Sequence, residues 1–140
     1  MICKVKRLDE RAIIPTKAYG GDSGWDIYAV SREDILPMQT RRIPLGIAIG
    51  FPPGVGGQLR PRSSQSLKGV LVHTGTIDQK FIGELCVTIT NLSHCDVYRI
   101  FSGDRICQLV LEHVLETTMA EADELQDTQR GQLGHGSSGK

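Results

Sequence analysis

Residues 84–91 read Glu84-Leu85-Cys86-Val87-Thr88-Ile89-Thr90-Asn91. Successive side chains of a β-strand point to opposite faces, so Leu85, Val87 and Ile89 would share one face and the residues between them the other. The first face is apolar and the second is largely polar. This period of two predicts a strand with one buried face.

Further short alternating segments occur over residues 47–51, 97–101 and 105–111. The turn signals between such segments include Gly20-Gly21, Pro52-Pro53-Gly54 and Ser102-Gly103-Asp104. The 16 glycines and 6 prolines also favour short strands over long helices. We therefore expect an all-β sandwich or barrel, with helix limited to residues 63–68 or the acidic segment 117–127. The acidic segment has too few apolar positions to anchor a helix, which indicates a surface connector.

Composition narrows the classes of function. The chain has 140 residues with 16 Lys and Arg against 16 Asp and Glu, so its formal net charge is zero. This removes the general attraction to phosphate backbones, and nucleic acid is not an expected partner. No apolar run approaches the roughly 18 residues of a membrane helix, and the first residues lack the apolar core of a signal peptide. We expect a soluble domain of the cytoplasm or nucleus with no membrane partner.

Cysteine and histidine spacing indicates no metal or redox centre built by the protein alone. The 4 cysteines form no C-x-x-C pair, which predicts that they serve as small buried hydrophobes. The 4 histidines show no i, i+4 or H-x-H arrangement. A participating divalent ion is expected to be Mg²⁺ held mainly by substrate phosphates, with Asp26 acting on it directly or through water.

Three turns carry more polar residues than a connection requires. Residues 21–26 place Asp26 ahead of a strand, where it either holds the turn or serves a ligand. Residues 60–64 combine guanidinium groups with two hydroxyls, a set that suits a phosphate as well as a helix N-cap. Residues 75–84 predict a hairpin that brings the Asp78 carboxylate near an aromatic ring, although Asp in a turn is also a common structural choice.

The last polar segment covers residues 129–140 and is rich in glycine. Glycine allows a backbone to approach a ligand closely, and the Arg, Ser and Lys side chains of this segment offer donors to an anion. So little apolar surface cannot form a core of its own. We therefore expect an arm rather than a second folded domain.

Taken in order, these motifs resemble the five-motif pattern of the trimeric dUTP pyrophosphatases, the dUTPases. The resemblance spans about residues 18–139 and rests on Gly24-Trp25-Asp26, Pro61-Arg62-Ser63-Ser64, Gly75-Thr76-Ile77-Asp78 through Phe81-Ile82-Gly83-Glu84, Gly103-Asp104-Arg105-Ile106-Cys107-Gln108-Leu109, and Arg130-Gly131 with Gly134-His135-Gly136-Ser137-Ser138-Gly139. It implies a jelly-roll-like or distorted β-barrel subunit over residues 1–128. It also implies a homotrimer with sites at the subunit boundaries, where the arm of residues 129–140 closes over a neighbour's site.

The resemblance implies a reaction as well, the Mg²⁺-assisted hydrolysis of dUTP to dUMP and pyrophosphate, which limits uracil in DNA and supplies dUMP. Asp78 is implied to orient and deprotonate the water that attacks the α-phosphorus. Phe81 is implied to pack on the deoxyribose, and the backbone of Gly75 and Thr76 to contact the uracil edge. Arg62 is expected to support its loop or a subunit contact. The residues implied to hold the phosphates are Ser63, Ser64 and Gln108.

The arm supplies the remaining implied substrate contacts. Arg130, Ser137 and Ser138 are expected to clamp the terminal phosphates, with Gly136 beside them in the fifth motif. His135 stands where the family usually has a Phe or Tyr that stacks on uracil, so weaker closure or an altered base preference is expected. The spacing between the second and third motifs is closer to that of viral members, which implies a viral or phage origin and action in a host cell.

Two alternatives remain open on the sequence. The dCTP deaminases of the same superfamily share the Arg62-Ser63-Ser64 motif, but their glutamate general base falls on Thr88 here, and Glu84 lies too near the turn to replace it. The second alternative is a dUTPase-like fold kept for protein interaction, with His135 marking a decayed site. Decay is disfavoured because the chain retains Asp78, Gln108 and Arg130.

Overall fold

The computed structural model describes residues 1–129 and 131–132. Within these residues the chain forms eleven strands and one short helix. The strands are β1 (Lys4–Arg7), β2 (Gly24–Tyr28), β3 (Glu33–Ile35), β4 (Thr40–Pro44), β5 (Ile47–Gly50), β6 (Val55–Arg60), β7 (Val70–Val72), β8 (Gly75–Ile77), β9 (Cys86–Asn91), β10 (Tyr98–Ile100) and β11 (Arg105–His113), and the helix α1 is Ser63–Ser66.

The described strands assemble into four antiparallel sheets, ordered β2-β11-β6-β8, β4-β9-β7, β1-β5 and β10-β3. Non-consecutive strands pair in every sheet, so the chain crosses repeatedly between sheets rather than forming simple hairpins. Apolar residues from all four sheets meet in one buried cluster, which includes Ile27, Ile35, Ile43 and Ile47. This architecture confirms the predicted all-β, jelly-roll-like fold.

Strand β9 confirms the alternation on which the fold prediction depends. Val87, Ile89 and Asn91 are buried, and the residues between them are half-buried. Asn91 is the polar exception in this row. Its amide nitrogen donates to the carbonyl oxygens of Ile35 at 3.0 Å and Asp96 at 2.7 Å, which satisfies the buried group.

Strand β11 departs from simple alternation. Its register against β2 shifts between Arg105 and Cys107. Such a β-bulge inserts one extra residue and re-aims the side chains beyond it. As a result Ile106 and Cys107 are both buried although they are adjacent in the chain.

Two expectations from the sequence are wrong. Residues 75–84 do not form a hairpin, because β8 pairs with β6 while β9 pairs with β4 and β7 in another sheet. The cysteines are not a buried set either, because Cys95 is exposed and Cys3 and Cys86 are half-buried. Only Cys107 is buried among the four. Burial raises the pKa of the Cys107 thiol to about 12, and the negative charge of Asp26 contributes in the same direction. The thiol therefore stays neutral in the core.

The segment after β11 fits the expected surface connector. Residues 117–127 contain neither helix nor strand and are exposed throughout. The short helix α1 falls within the range 63–68 that the sequence allowed for helix. In the described part of the chain, no helical segment has the length and hydropathy needed to cross a bilayer.

Candidate functional site

A buried carboxylate, Asp26 in β2, connects three of the sequence motifs. Its Oδ1 accepts a hydrogen bond from Nε of Arg62 at 2.9 Å and a weaker one from Nε2 of Gln108 at 3.4 Å. Its Oδ2 accepts from Nη1 of Arg105 at 3.2 Å. A buried carboxylate needs such partners because an unpaired charge away from water is costly. Asp26 thus joins β2 to β11 and to the loop that follows β6.

Arg105 reaches this carboxylate because of the bulge in β11. In a regular strand, two residues three positions apart point to opposite faces. The register shift instead sets Arg105 opposite Tyr28 and Gln108 opposite Asp26. Tyr28 and Asp26 share a face of β2, so Arg105 and Gln108 do too. Sequence reasoning did not assign Arg105 to the site, because alternation alone does not reveal where a bulge falls.

The ion pairs of Asp26 make this residue important for stability, and Asp26→Asn is expected to lower the free energy of unfolding by about 2 kcal/mol. The substitution keeps the shape of the side chain but leaves the guanidinium of Arg62, which is 22% exposed, without its carboxylate. The loss stays below that of a fully buried pair because Arg105 is 48% exposed and can be solvated. Urea unfolding at one fixed protein concentration measures the difference.

The control for this prediction is Asp34→Asn. Asp34 pairs with Arg32 on the surface, where both side chains are well exposed. Such a pair contributes little, so the unfolding midpoint should stay unchanged. Equal midpoints for the two variants would contradict the structural role of Asp26.

The loop between β6 and α1 presents two of the predicted phosphate ligands. Ser63 and Ser64 form the start of α1, and both are exposed. Beneath them Gln65 is buried, and its Oε1 accepts from the backbone N–H of Arg62 at 3.4 Å. Arg62 is therefore held through its backbone as well as through its side chain, and its role in supporting the loop stays a prediction. The serine hydroxyls stay accessible to an anion.

The second group of predicted residues lies around β8. The residues that line a cavity of about 230 Å³ there are Arg42, Leu59, Gly75, Thr76, Ile77, Asp78, Phe81, Glu84, Leu85 and Cys86. Asp78 is exposed and takes part in no ion pair among the described residues. Phe81, which is 44% exposed, presents its ring to the same cavity. A carboxylate without an ion pair and an aromatic side chain therefore line the same cavity.

The linings of the two cavities that Asp78 borders in the described chain include none of the predicted phosphate ligands, Ser63, Ser64 and Gln108. In the pairing of β8 with β6, Gly75 lies opposite Leu59 near the serine loop, and Asp78 follows the other end of β8. Three residues of extended chain span roughly 10 Å. The chain by itself thus offers a loop with predicted phosphate ligands and a separate cavity that carries the carboxylate.

The charges around Asp26 favour an anion at the loop. Two guanidinium groups, from Arg62 and Arg105, face the single carboxylate of Asp26, so the cluster keeps one net positive charge. Guanidinium groups and hydroxyls are donors that suit phosphate oxygens. Within residues 1–129 and 131–132, no group of three or more His, Cys, Asp or Glu is arranged to hold a metal ion. The indirect metal role of Asp26 stays a prediction.

Five predicted site residues fall outside the part of the chain that the structure describes: Arg130, His135, Gly136, Ser137 and Ser138. Their roles stay predictions. Sequence reasoning did not assign Gln79 and Glu84 to the site. Gln79 accepts a hydrogen bond from the backbone N–H of Gly54, and Glu84 accepts one from the backbone N–H of Gly46.

Comparison with known proteins identifies the family. A family model described as dUTPase matches residues 10–139. The chain is 39% identical over 138 residues to the deoxyuridine 5'-triphosphate nucleotidohydrolase of Clostridium kluyveri, with 96% of each chain covered. It is 37% identical over 142 residues to that of Gloeothece citriformis, with 99% of this chain and 97% of the relative covered. The solved Staphylococcus bacteriophage 80alpha dUTPase with dUpNHpp matches with a TM-score of 0.92 at 27% identity, covering 99% of both chains. This chain therefore belongs to the dUTPase family.

Proposed function

We propose that the chain hydrolyses dUTP to dUMP and pyrophosphate, a reaction that limits uracil in DNA and supplies dUMP. The observation that carries the proposal is a cavity lined by both Asp78 and Phe81. Asp78 contributes a carboxylate that forms no ion pair among the described residues, and Phe81 contributes an aromatic ring. The names of the two bacterial relatives and the dUpNHpp that accompanies the phage dUTPase in its solved structure support the choice of substrate.

Asp78 serves as the group that activates water. One carboxylate oxygen accepts a proton from a water molecule while that water attacks the α-phosphorus in line with the leaving group. The bond between the α-phosphorus and the bridging oxygen then breaks, and pyrophosphate leaves with the electron pair. Phosphoryl transfer depends mainly on positioning and on neutralising charge on the phosphate oxygens, so an exposed carboxylate that lines the nucleoside cavity is a suitable arrangement.

The cavity around β8 binds the nucleoside. The ring of Phe81 packs against the deoxyribose and leaves no room for a 2′-hydroxyl. The backbone of Gly75 and Thr76, which lines the same cavity, offers hydrogen-bonding groups to the uracil edge.

The phosphate site is completed between copies of the chain in a homotrimer. Ser63, Ser64 and Gln108 hold phosphate oxygens, with Arg62 fixing their loop. These residues do not line the Asp78 cavity of their own chain, so a second copy has to bring them to it. The exposed apolar side chains of Leu115 and Met119, after β11, support contact with another subunit.

Mg²⁺ accompanies the triphosphate. Among the described residues no carboxylate cluster fits a resident metal ion, and both oxygens of Asp26 already accept from arginines. Mg²⁺ is commonly bound through substrate phosphates and keeps several waters, which fits a site of this kind. When bound it supplies positive charge to the phosphate oxygens, and an indirect contact through water is the remaining role for Asp26.

Residues 1–128 form the folded domain. The arm of residues 129–140, which follows it in the chain, closes the site. Arg130, Ser137 and Ser138 clamp the terminal phosphates, and His135 and Gly136 cover the base. The protein acts inside a host cell, in the cytoplasm or nucleus, with no direct nucleic-acid or membrane partner.

The deaminase alternative is not favoured. Thr88 lies in β9 at the position that its glutamate general base would need. Glu84 accepts a hydrogen bond through Oε1 from the backbone N–H of Gly46 at 3.0 Å, which holds its side chain toward the loop between β4 and β5. It precedes β9 and does not occupy the position of Thr88.

A nucleotide screen tests the proposed function. With Mg²⁺ present, the purified protein is expected to release pyrophosphate from dUTP at least about a hundredfold faster than from dCTP, dTTP or UTP. Ammonia release from dCTP would support the deaminase instead. Folded protein that leaves dUTP intact would support the interaction protein.

A further inference from the structure

The aromatic ring of Phe81 rests directly on Gly83. A Cβ atom added at position 83 would lie 2.7 Å from Cζ and 2.9 Å from Cε2 of that ring. Carbon atoms pack best at about 3.5–4.0 Å, so both distances would be severe overlaps. Only the absence of a side chain at position 83 allows the ring to occupy its present place.

Hydrogen bonds hold the turn of residues 78–84 on both sides of the contact between Phe81 and Gly83. Oε1 of Gln79 accepts from the N–H of Gly54 at 3.0 Å, and Oε1 of Glu84 accepts from the N–H of Gly46 at 3.0 Å. Both partners belong to loops outside the turn. A Cβ at position 83 would therefore move the side chain of Phe81 rather than the backbone that carries Asp78.

Phe81 contacts Gly83 and also lines the nucleoside cavity. Gly83 itself does not line that cavity. A methyl group at position 83 would force the ring to move by roughly 1 Å to restore ordinary contact distances. Because Phe81 lines the cavity, this movement would change the shape of the space left for a sugar.

We propose that Gly83 is a positioning residue that sets the place of the Phe81 ring and thereby the room for deoxyribose. The proposal rests on the proposed function, in which Phe81 forms the wall beside the sugar. It predicts that a side chain at position 83 weakens substrate binding while the water-activating carboxylate keeps its place. A purely structural glycine would affect neither parameter selectively.

The test is the steady-state kinetics of Gly83→Ala with dUTP. KM is expected to rise about tenfold or more, as for a methyl group forced into a fitted pocket, while kcat changes less than about threefold. The glycine control is Gly20→Ala, because nothing lies within 4 Å of a Cβ built at Gly20. That variant should keep the parent KM.

A shorter side chain at position 81 provides the rescue. Phe81→Leu removes the ring atoms that Gly83 supports, so Gly83→Ala should raise KM less than about twofold in the Phe81→Leu background. An unchanged KM in Gly83→Ala would overturn the proposal, as would an equal rise in both backgrounds. If Gly83→Ala alone does not fold, a folded double variant still supports the ring contact, and a double variant that also fails to fold overturns it.

A separate measurement tests the proposed function. Phe81→Leu alone is expected to raise the turnover of UTP relative to dUTP about tenfold, because the wall against the 2′-hydroxyl is shortened. If that ratio does not move, Phe81 is not the sugar wall, whatever Gly83→Ala does to KM. If the ratio moves and the KM of Gly83→Ala does not, only the role of Gly83 is refuted.

Discussion

Replacing Asp78 by asparagine is expected to lower kcat for dUTP about a thousandfold or more. The amide has the shape of the carboxylate but cannot take a proton from the attacking water, and proton transfer by a positioned group contributes about 10²–10⁴-fold in enzymes. KM should change little, because Asp78 contacts the water rather than the nucleotide in the proposed mechanism. Pyrophosphate release under saturating dUTP measures the effect.

The fold is expected to survive this change. Asp78 is exposed and, in the described chain, forms no ion pair that its replacement would break. The matched control is Asp96→Asn, an exposed aspartate in the loop after β9, which should keep full activity. Asp78→Asn protein that melts normally and retains more than a tenth of the parent turnover would remove the general-base role from this residue.

The sequence predicted the architecture where a single physical rule determines the outcome. The predicted apolar row of Leu85, Val87 and Ile89 is buried, as a period of two against one apolar core requires. The partner of each strand was not predictable in the same way. Residues 75–84 suggested a hairpin because β8 and β9 are close in the chain, yet they join different sheets. Sequence distance limits a connection but does not specify which sheet receives the next strand.

The candidate site shows the same division. Two of the residues that line the β8 cavity, Asp78 and Phe81, were predictable because one short motif carries both of them, three positions apart. The contact of Asp26 with Arg105 was not, because it depends on a bulge between Arg105 and Cys107 that reverses the expected faces. An odd spacing between two polar residues of one strand, here Arg105 and Gln108, is the signal that would have indicated such a bulge.

Polar residues that hold the turn after β8 against other loops are harder still to predict. Gln79 and Glu84 read as ordinary surface residues of a turn, and each hydrogen-bonds a backbone N–H more than 20 residues away in the chain. Such contacts depend on the packing of three loops, which no local pattern encodes. Gly83 is similar, since its importance lies in the ring above it rather than in its own backbone angle.

Removal of residues 129–140 is expected to lower kcat/KM for dUTP about a hundredfold or more. The cavity on the described chain is open, with Asp78 exposed and the ring of Phe81 44% exposed. Catalysis of this kind gains from excluding water and from donors aimed at the developing charge, and one such donor is worth about 10²–10³ in rate. The deleted segment carries Arg130, Ser137 and Ser138, the donors assigned to the terminal phosphates.

The assembly is expected to survive the deletion, because the exposed apolar side chains of Leu115, Met119 and Leu125 that support a subunit contact all precede residue 129. Sedimentation of the truncated protein should therefore give the same number of subunits as for the parent. The narrower variant Arg130→Ala removes one donor without shortening the chain and should lose activity to an intermediate extent. Truncated protein that keeps activity within about twofold would mean that the site is complete without the arm. A loss of activity accompanied by dissociation would instead assign the segment to assembly, so mass and rate have to be measured on the same preparation.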